Sequence, residues 1–354
     1  MIEIMVAGFR RWRFLLALLG TMMPVVGYVI GDNYHAFLVA FVIIPVLDWL
    51  LGKDPSNPAA GDMRRIENDP VFRGILYAYV PIHLGLILWC AWVLARGDLP
   101  PAQALGLALS VGIVTGAQGI TFGHELGHAR SRLERWLARV LLTTVSYGHF
   151  SIEHNRGHHV RVATFEDPAS ARYGESFWRF LPRTVIGSYL SAWRIENERL
   201  RRLQLPPAHW RNQMIWYSVV PVLIAGTLAF ALGPAAALAF ALQSAMAVTL
   251  LEAVNYVEHY GLTRARLPDG RYERVSHRHS WDADNFLSNC FLVHLQRHAD
   301  HHTHPARPYQ ALLHHDDSPK LPTGYAGMIP LALLPPLWFA LMNPRVSALR
   351  AASL

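Results

Sequence analysis

The chain has 354 residues, of which 52% are hydrophobic and 16% charged, and its mean hydropathy is +0.18. Soluble domains carry about 25% charged residues, so this composition excludes an ordinary soluble domain and points to a membrane protein. The net charge of +7 is read first as a Lys/Arg excess in cytoplasmic loops and not as a nucleic-acid surface. A basic surface also attracts an acidic redox partner or anionic lipid. Two cysteines, Cys90 and Cys290, with no Cys-x-x-Cys pair, exclude an internal iron centre that needs four thiolates. Both read as small buried residues.

A spanning helix needs about 20 mainly apolar residues. Six candidate spans follow in chain order, at 14–31, 35–52, 73–96, 102–122, 213–232 and 234–256. Arg10, Arg11 and Arg13 precede the first, and Lys53, Arg64, Arg65 and Arg73 lie at or before the start of the third. The short links at Gly31–Tyr34, Arg96–Pro101 and Gly233–Pro234 carry only Arg96 between them. By the distribution of Lys and Arg, both termini and the long polar segments face the cytoplasm. The first span has the basic flank and apolar core of a signal peptide. No small-x-small cleavage site follows it, however, and five more spans do. Residues 129–212, rich in Arg and Trp, read as helices lying against the bilayer, and Leu267–Arg271 reads as a turn between short extended arms. The apolar stretch near 326–342 contains Pro330, Pro335 and Pro336, and reads as a buried or interfacial segment. The expected fold is an all-α integral membrane protein, one domain over 1–354. Its six transmembrane helices form three hairpins under a histidine-rich cytoplasmic cap made of 123–212 and 257–354.

The chemistry lies in the histidines. His124-Glu-Leu-Gly-His128, His154-Asn-Arg-Gly-His158-His159 and His298-Ala-Asp-His301-His302 hold eight, and His259 follows in Asn255-Tyr-Val-Glu-His-Tyr-Gly-Leu262. Residues four apart on a helix are separated by about 40° around its axis, and adjacent residues by about 100°. The spacing therefore predicts that His124 with His128, His154 with His158, and His298 with His302 each face one ion. His159 and His301 then reach a neighbouring one. One zinc needs four ligands, whereas two six-coordinate ions offer about 12 positions, which nine imidazoles leave about three short of full. Glu125, Glu153, Glu258 and Asp300 stand beside the histidines as candidates to orient an imidazole or to bind directly. Imidazole alone does not select among iron, copper, zinc and nickel.

Two rival readings are weaker. His124-Glu125-Leu-Gly-His128 fits the His-Glu-x-x-His signature of zinc proteases, with Glu125 as base, but it leaves six histidines idle. A metal transporter places its ligands in the spans near the midplane, whereas eight of these nine stand in or beside cytoplasmic segments.

Together with Tyr147-Gly-His-Phe150, Asp269-Gly-Arg-Tyr-Glu273, His279-Ser-Trp281, Leu295-Gln-Arg-His298 and Leu321-Pro-Thr-Gly-Tyr325, the boxes resemble those of membrane alkane 1-monooxygenases, within the membrane fatty acid desaturase/hydroxylase superfamily. The resemblance covers roughly residues 20–345. It implies a non-haem centre of two iron ions held by His124, His128, His154, His158, His159, His259, His298, His301 and His302. It also implies O₂-dependent terminal hydroxylation of medium or long n-alkanes to 1-alkanols. Electrons would come from rubredoxin on a separate chain, reduced by an NAD(P)H-dependent reductase. The implied location is a bacterial-type inner membrane, among lipid that carries the alkane. A xylene-type alkyl-aromatic monooxygenase shares the centre and remains the alternative. Ala36 and Ala40, small and four apart on the second span, are expected to leave room for a substrate channel, or else to pack helix against helix.

Overall fold

The computed structural model describes residues 11–352, and Arg10 of the basic flank lies outside them. Among the described residues the fold is helical, and extended pairing is limited to isolated bridges such as Arg266 with Tyr272. That bridge closes the expected turn at 267–271. Gly270 takes φ +81°, a conformation open to glycine without steric penalty, and the Leu267 N–H donates to the Arg271 carbonyl at 2.8 Å.

Four helical stretches are long and apolar enough to cross a bilayer, namely Ala60–Ala95, Pro101–His128, Gln213–Leu232 and Pro234–His259. The helices Leu15–Ile30 (α1) and His35–Leu51 (α2) are shorter. At 1.5 Å per residue α2 measures about 25 Å, under the ~30 Å of a hydrocarbon core. Pro70–Ala95 (α3), Pro101–His128 (α4) and Pro234–His259 (α9 below) all begin with proline at a position that needs no intrahelical N–H. The Asp69 carboxylate caps α3 by accepting from the Val71 N–H at 3.0 Å.

The polar middle of the chain supplies Arg132–Thr143 (α5), a helix over 150–161 (α6) and Phe177–Arg202 (α7). Leu133 and Trp136 are exposed on α5, and Trp178, Ile186 and Leu190 on α7. Gln213–Leu232 (α8), capped by Asn212, and Pro234–His259 (α9) follow. Phe286–Phe291 (α10), His298–Thr303 (α11), Tyr325–Ala332 (α12) and Pro335–Ala351 (α13) complete the chain. The last two divide the apolar stretch near 326–342 into pieces too short to span, and Trp338, Met342 and Val346 bury one face of α13.

Helix α9 is the hub, packed along α3, α4 and α8. Its approach to α4 depends on missing side chains. A Cβ on Gly112 would sit 2.5 Å from Met246 Cβ, and one on Gly116 would sit 2.9 Å from Ala247 Cα. Small residues let two helix backbones close up where lipid supplies no hydrophobic drive. The result brings the C-terminal ends of α4 and α9 together, and with them His124, His128 and His259. Sequence reading ends the fourth and sixth spans at 122 and 256, but both helices run on through their histidines, to His128 and His259.

Three turns of wider π geometry interrupt the helices, at Val39–Ile43, Thr115–Ile120 and His154–His158. Such turns recur at functional sites. The first has a local cause, since Pro45 just after it has no N–H to return to the preceding turn.

Candidate metal centre

The nine histidines of the tracts come together at the ends of α4, α6, α9 and α11, and they sort into two groups. His124, His128, His154, His159 and His301 form one, and His158, His259, His298 and His302 the other. Within the first, Nε2 of His159 lies 3.0 Å from Nε2 of His154 and 3.2 Å from that of His301. Within the second, Nε2 of His302 lies 2.9 Å from that of His298 and 3.3 Å from that of His158, and His298 lies 3.3 Å from His259.

These spacings decide what the rings are arranged for. Nitrogen donors on one metal at about 2.1 Å, set at right angles, stand about 3.0 Å apart. Hydrogen bonding alone does not account for the array. His124 Nε2 and His128 Nε2 are buried without a partner, and buried polar groups are rarely left so. Burial, reinforced by neighbouring imidazoles, holds His154, His159, His298, His301 and His302 well below the usual imidazole value. Neutral rings present lone pairs, the form that metals bind. The donor set thus fits two ions.

The division of ligands corrects one expectation. His154 does not pair with His158, four residues on, but with His159, five residues on. The His159 N–H donates to the His154 carbonyl across the π turn, so five residues close the turn and put His154 and His159 on one face. His158 is turned to the other group. In α11 the ordinary spacing holds, with His298 and His302 together and His301 apart.

The residues around the rings divide by role. Asp167 was not anticipated; its Oδ2 accepts from His158 Nδ1 at 2.8 Å and from the Ser170 hydroxyl at 2.6 Å, while its Oδ1 accepts from the Ala169 N–H at 3.1 Å. Burial opposes a charge on His158, yet Asp167 outweighs it and holds that imidazole above its usual value. The only trace in the sequence is a carboxylate eight residues beyond the tract. Glu258, 2% exposed, places Oε2 3.2 Å from His298 Nε2. The other three candidate acids contact different groups. Glu125 accepts from the Tyr309 N–H at 3.1 Å, Glu153 pairs with Arg161 at 2.6 Å, and Asp300 takes Arg307 on both oxygens at 2.6 Å. Arg297, buried immediately before α11, donates to the carbonyls of Leu312, Asp54 and Ser56 at 2.7–3.0 Å and fixes the start of the third tract. His294 is occupied elsewhere, with Nδ1 3.0 Å from the Tyr309 carbonyl and Nε2 2.6 Å from Arg13. His83 pairs with Thr144 and Tyr79.

A cavity opens beside the rings. Its walls are mostly apolar, including Met23, Phe41, Ile113, Leu250, Val254 and Phe291, and His124, His154 and His298 from both donor groups reach it. Ala40 lines it, whereas Ala36 is fully buried in the packed core and is not at the wall. All three π turns contribute wall residues, the third through His154. A separate polar cleft bounded by Arg73, Glu134 and Arg307 reaches Glu125 and His128.

A sequence model of the fatty acid desaturase family matches residues 99–332. Alkane 1-monooxygenase 2 of Pseudomonas aeruginosa is 47% identical to this chain over 347 residues, which is 95% of the chain and 91% of the relative. Alkane 1-monooxygenase 1 of Alcanivorax borkumensis is 38% identical over 95% of the chain and 85% of its own length. The hydroxylase component of xylene/toluene monooxygenase of Pseudomonas putida is more distant, at 27% over 93% and 87%. With identities this high over nearly the whole of both chains, the protein belongs to the alkane 1-monooxygenase family of the membrane desaturase and hydroxylase superfamily, and it is an oxidoreductase.

Proposed function

We propose that the chain hydroxylates the terminal methyl of medium and long n-alkanes with O₂, consuming two electrons and two protons and releasing a 1-alkanol and water. In this reading His124, His128, His154, His159 and His301 hold one iron and His158, His259, His298 and His302 the other. When bound, the irons supply the redox chemistry that reduces O₂ and oxidises the C–H bond. The electrons come from a separate rubredoxin, itself reduced by an NAD(P)H-dependent reductase. The polar cleft beside His128 is the wet side of the centre, and the apolar cavity is the dry side.

The observation that carries the reading is that cavity. An alkane has no polar handle, so it must be selected by shape in a dry channel, and here the channel wall includes imidazoles of both groups. A narrow cavity that admits only the chain end presents the terminal carbon to the centre. Asp167 keeps the proton of His158 on Nδ1, which leaves Nε2 as the donor. Glu258 is placed to orient His298 or to complete the four-imidazole group. Glu125, Glu153 and Asp300 stiffen the backbone that carries the tracts. The chain is taken to sit in the inner membrane with six spans, α1 and α2 as the first hairpin, and both termini cytoplasmic. In that orientation the centre faces a soluble electron donor.

Metal analysis of purified protein should give about two irons per chain. Cells fed a panel of n-alkanes, alkenes and methylarenes should return 1-alkanols. The xylene/toluene relative favours a second reading, oxidation of the methyl group of an alkyl-aromatic. Benzyl alcohols in place of 1-alkanols would select it.

A further inference from the structure

Just past the second histidine tract the chain turns apolar side chains outward. Val160, joined by one peptide bond to His159 of the five-imidazole group, is 63% exposed, and Phe165 is 68% exposed. An arm over residues 263–274, which follows the end of α9, lies against this turn. Its Arg264 donates from the guanidinium to the Val160 carbonyl and from the backbone N–H to the Ala163 carbonyl, both at 2.8 Å. Tyr272 packs beside Arg264 and Arg266, whose guanidinium carbons stand 5.5 and 5.4 Å from its ring centroid. Arg172 covers Phe165 in the same way at 5.7 Å. Residues 263–279 hold five arginines against Asp269 and Glu273. Both acids are engaged within that stretch, Asp269 by Arg271 and Glu273 by His279 and the Ala265 N–H, while Glu175 near Arg172 is held by Arg183. Glu166, exposed beside Phe165, is an opposing charge at the edge.

We propose that this face, with Val160 and Phe165 at its centre and Arg172, Arg264 and Arg266 at its rim, docks an acidic one-electron carrier protein. The inference rests on the hydroxylase reading above and deepens it, the carrier being the rubredoxin of that reading. An apolar centre inside a charged rim is the usual anatomy of a protein interface, and a basic rim speeds and orients the approach of an acidic partner. Each docking oxidises one carrier by one electron, so two dockings supply the two electrons of a turnover. Partners that must part between electrons form small, weak interfaces, as a patch of two exposed apolar side chains would. Electron transfer slows steeply with distance, which favours a face one peptide bond from His159. The polar cleft also reaches the centre, but its cations are offset: Arg73 stands 3.6 Å from Glu134, and Arg307 is 2.6 Å from Asp300.

The test titrates oxidised rubredoxin into the full-length, iron-loaded protein in a detergent free of anionic lipid, over a salt series. Arg172→Glu and Arg266→Glu should each raise Kd about 10-fold at low salt, and the gap should close as salt screens the rim. Phe165→Ser should weaken binding at every salt concentration, and Glu166→Gln should tighten it. All four side chains are exposed, and equal iron content checks that each variant is folded. With reduced rubredoxin as the electron source, its KM should follow the same order. Wild-type affinity in Arg172→Glu, Arg266→Glu and Phe165→Ser, or a loss confined to Arg130→Glu in the polar cleft, would overturn the proposal and leave the hydroxylase reading standing. A difference seen only on titration with anionic phospholipid vesicles would make this a lipid-binding face and overturn it equally. If the wild type itself binds no rubredoxin at any salt concentration, the electron donor of the hydroxylase reading falls, and the docking face with it.

Discussion

Replacing Asp167 with Asn tests whether the two donor groups are separate sites. The Asp167 oxygens serve three donors: Oδ2 takes the His158 Nδ1–H and the Ser170 hydroxyl, and Oδ1 takes the Ala169 N–H. An amide keeps one oxygen, and if it stays with Ala169 the NH₂ faces His158 Nδ1. The imidazole must then move its proton to Nε2, the nitrogen 3.3 Å from His302 Nε2. Supporting carboxylates of this kind are worth about 10–100-fold in metal affinity, or about 1.4–2.8 kcal/mol. The loss should fall on the four-histidine group alone, because Asp167 contacts none of the five. Dialysis against a graded series of chelator concentrations, with iron analysis at each step, should show one iron leaving at a chelator level 10–100-fold lower than in the wild type. The second iron should leave where it does in the wild type. Ser170→Ala, which keeps the carboxylate, should shift the first step far less. If both irons leave together, or neither step moves, the assignment of His158 to a separate group through Asp167 is wrong.

Four further outcomes follow from the packing and charge described above. Ala40→Trp should shift the preferred alkane to shorter chains, about 10-fold or more in relative rate for each methylene excluded, as read by product profiles across an alkane series. Ala36→Val should cost about 1–3 kcal/mol by overpacking and leave chain-length preference unchanged. Gly116→Leu should separate α4 from α9, lower thermal stability by at least a similar amount, and reduce iron content together with it, measured on one preparation in detergent. Glu196 is held below the usual carboxylate value: burial opposes its charge, but its bonds from Arg199 and from the Gln213 N–H prevail. Its stabilisation is therefore present above the ordinary carboxylate range and lost as pH falls through the folded value. Glu196→Gln should cost about 1–3 kcal/mol at pH 7, and that cost should shrink once pH drops below the ordinary carboxylate range and vanish only below the lowered folded value, as followed by thermal denaturation over a pH series.

The histidines were legible because clustering is a local property, and so were the four long apolar helices, because apolar length is one too. What escaped the sequence was the conformation between them. An ideal helix pairs His154 with His158; the π turn that replaces that pairing depends on how α6 fits against its neighbours, and no residue in His154-Asn-Arg-Gly-His158 announces it. The ends of α4 and α9 were placed six and three residues early because polarity rises at the histidines while the helices continue. Asp167 reaches His158 only through a turn held by Ser170 and Ala169, a three-dimensional relation with little trace in spacing. Ala40 at the cavity wall and Ala36 in the core have the same residue type. A π turn beginning at Val39 lies between them, so periodicity alone did not separate them.

The π turn at His154–His159 has a mechanical corollary. His158 and His159 are consecutive residues serving different donor groups, and so are His301 and His302. Consecutive Cα atoms are fixed 3.8 Å apart, so two peptide bonds, on two unrelated helices, act as rulers between the groups. The distance from one group to the other is thereby constrained by covalent geometry on both helices. Inserting one residue between His158 and His159 would remove one of these rulers. The protein would still possess every histidine but would have lost one of the gauges that space them.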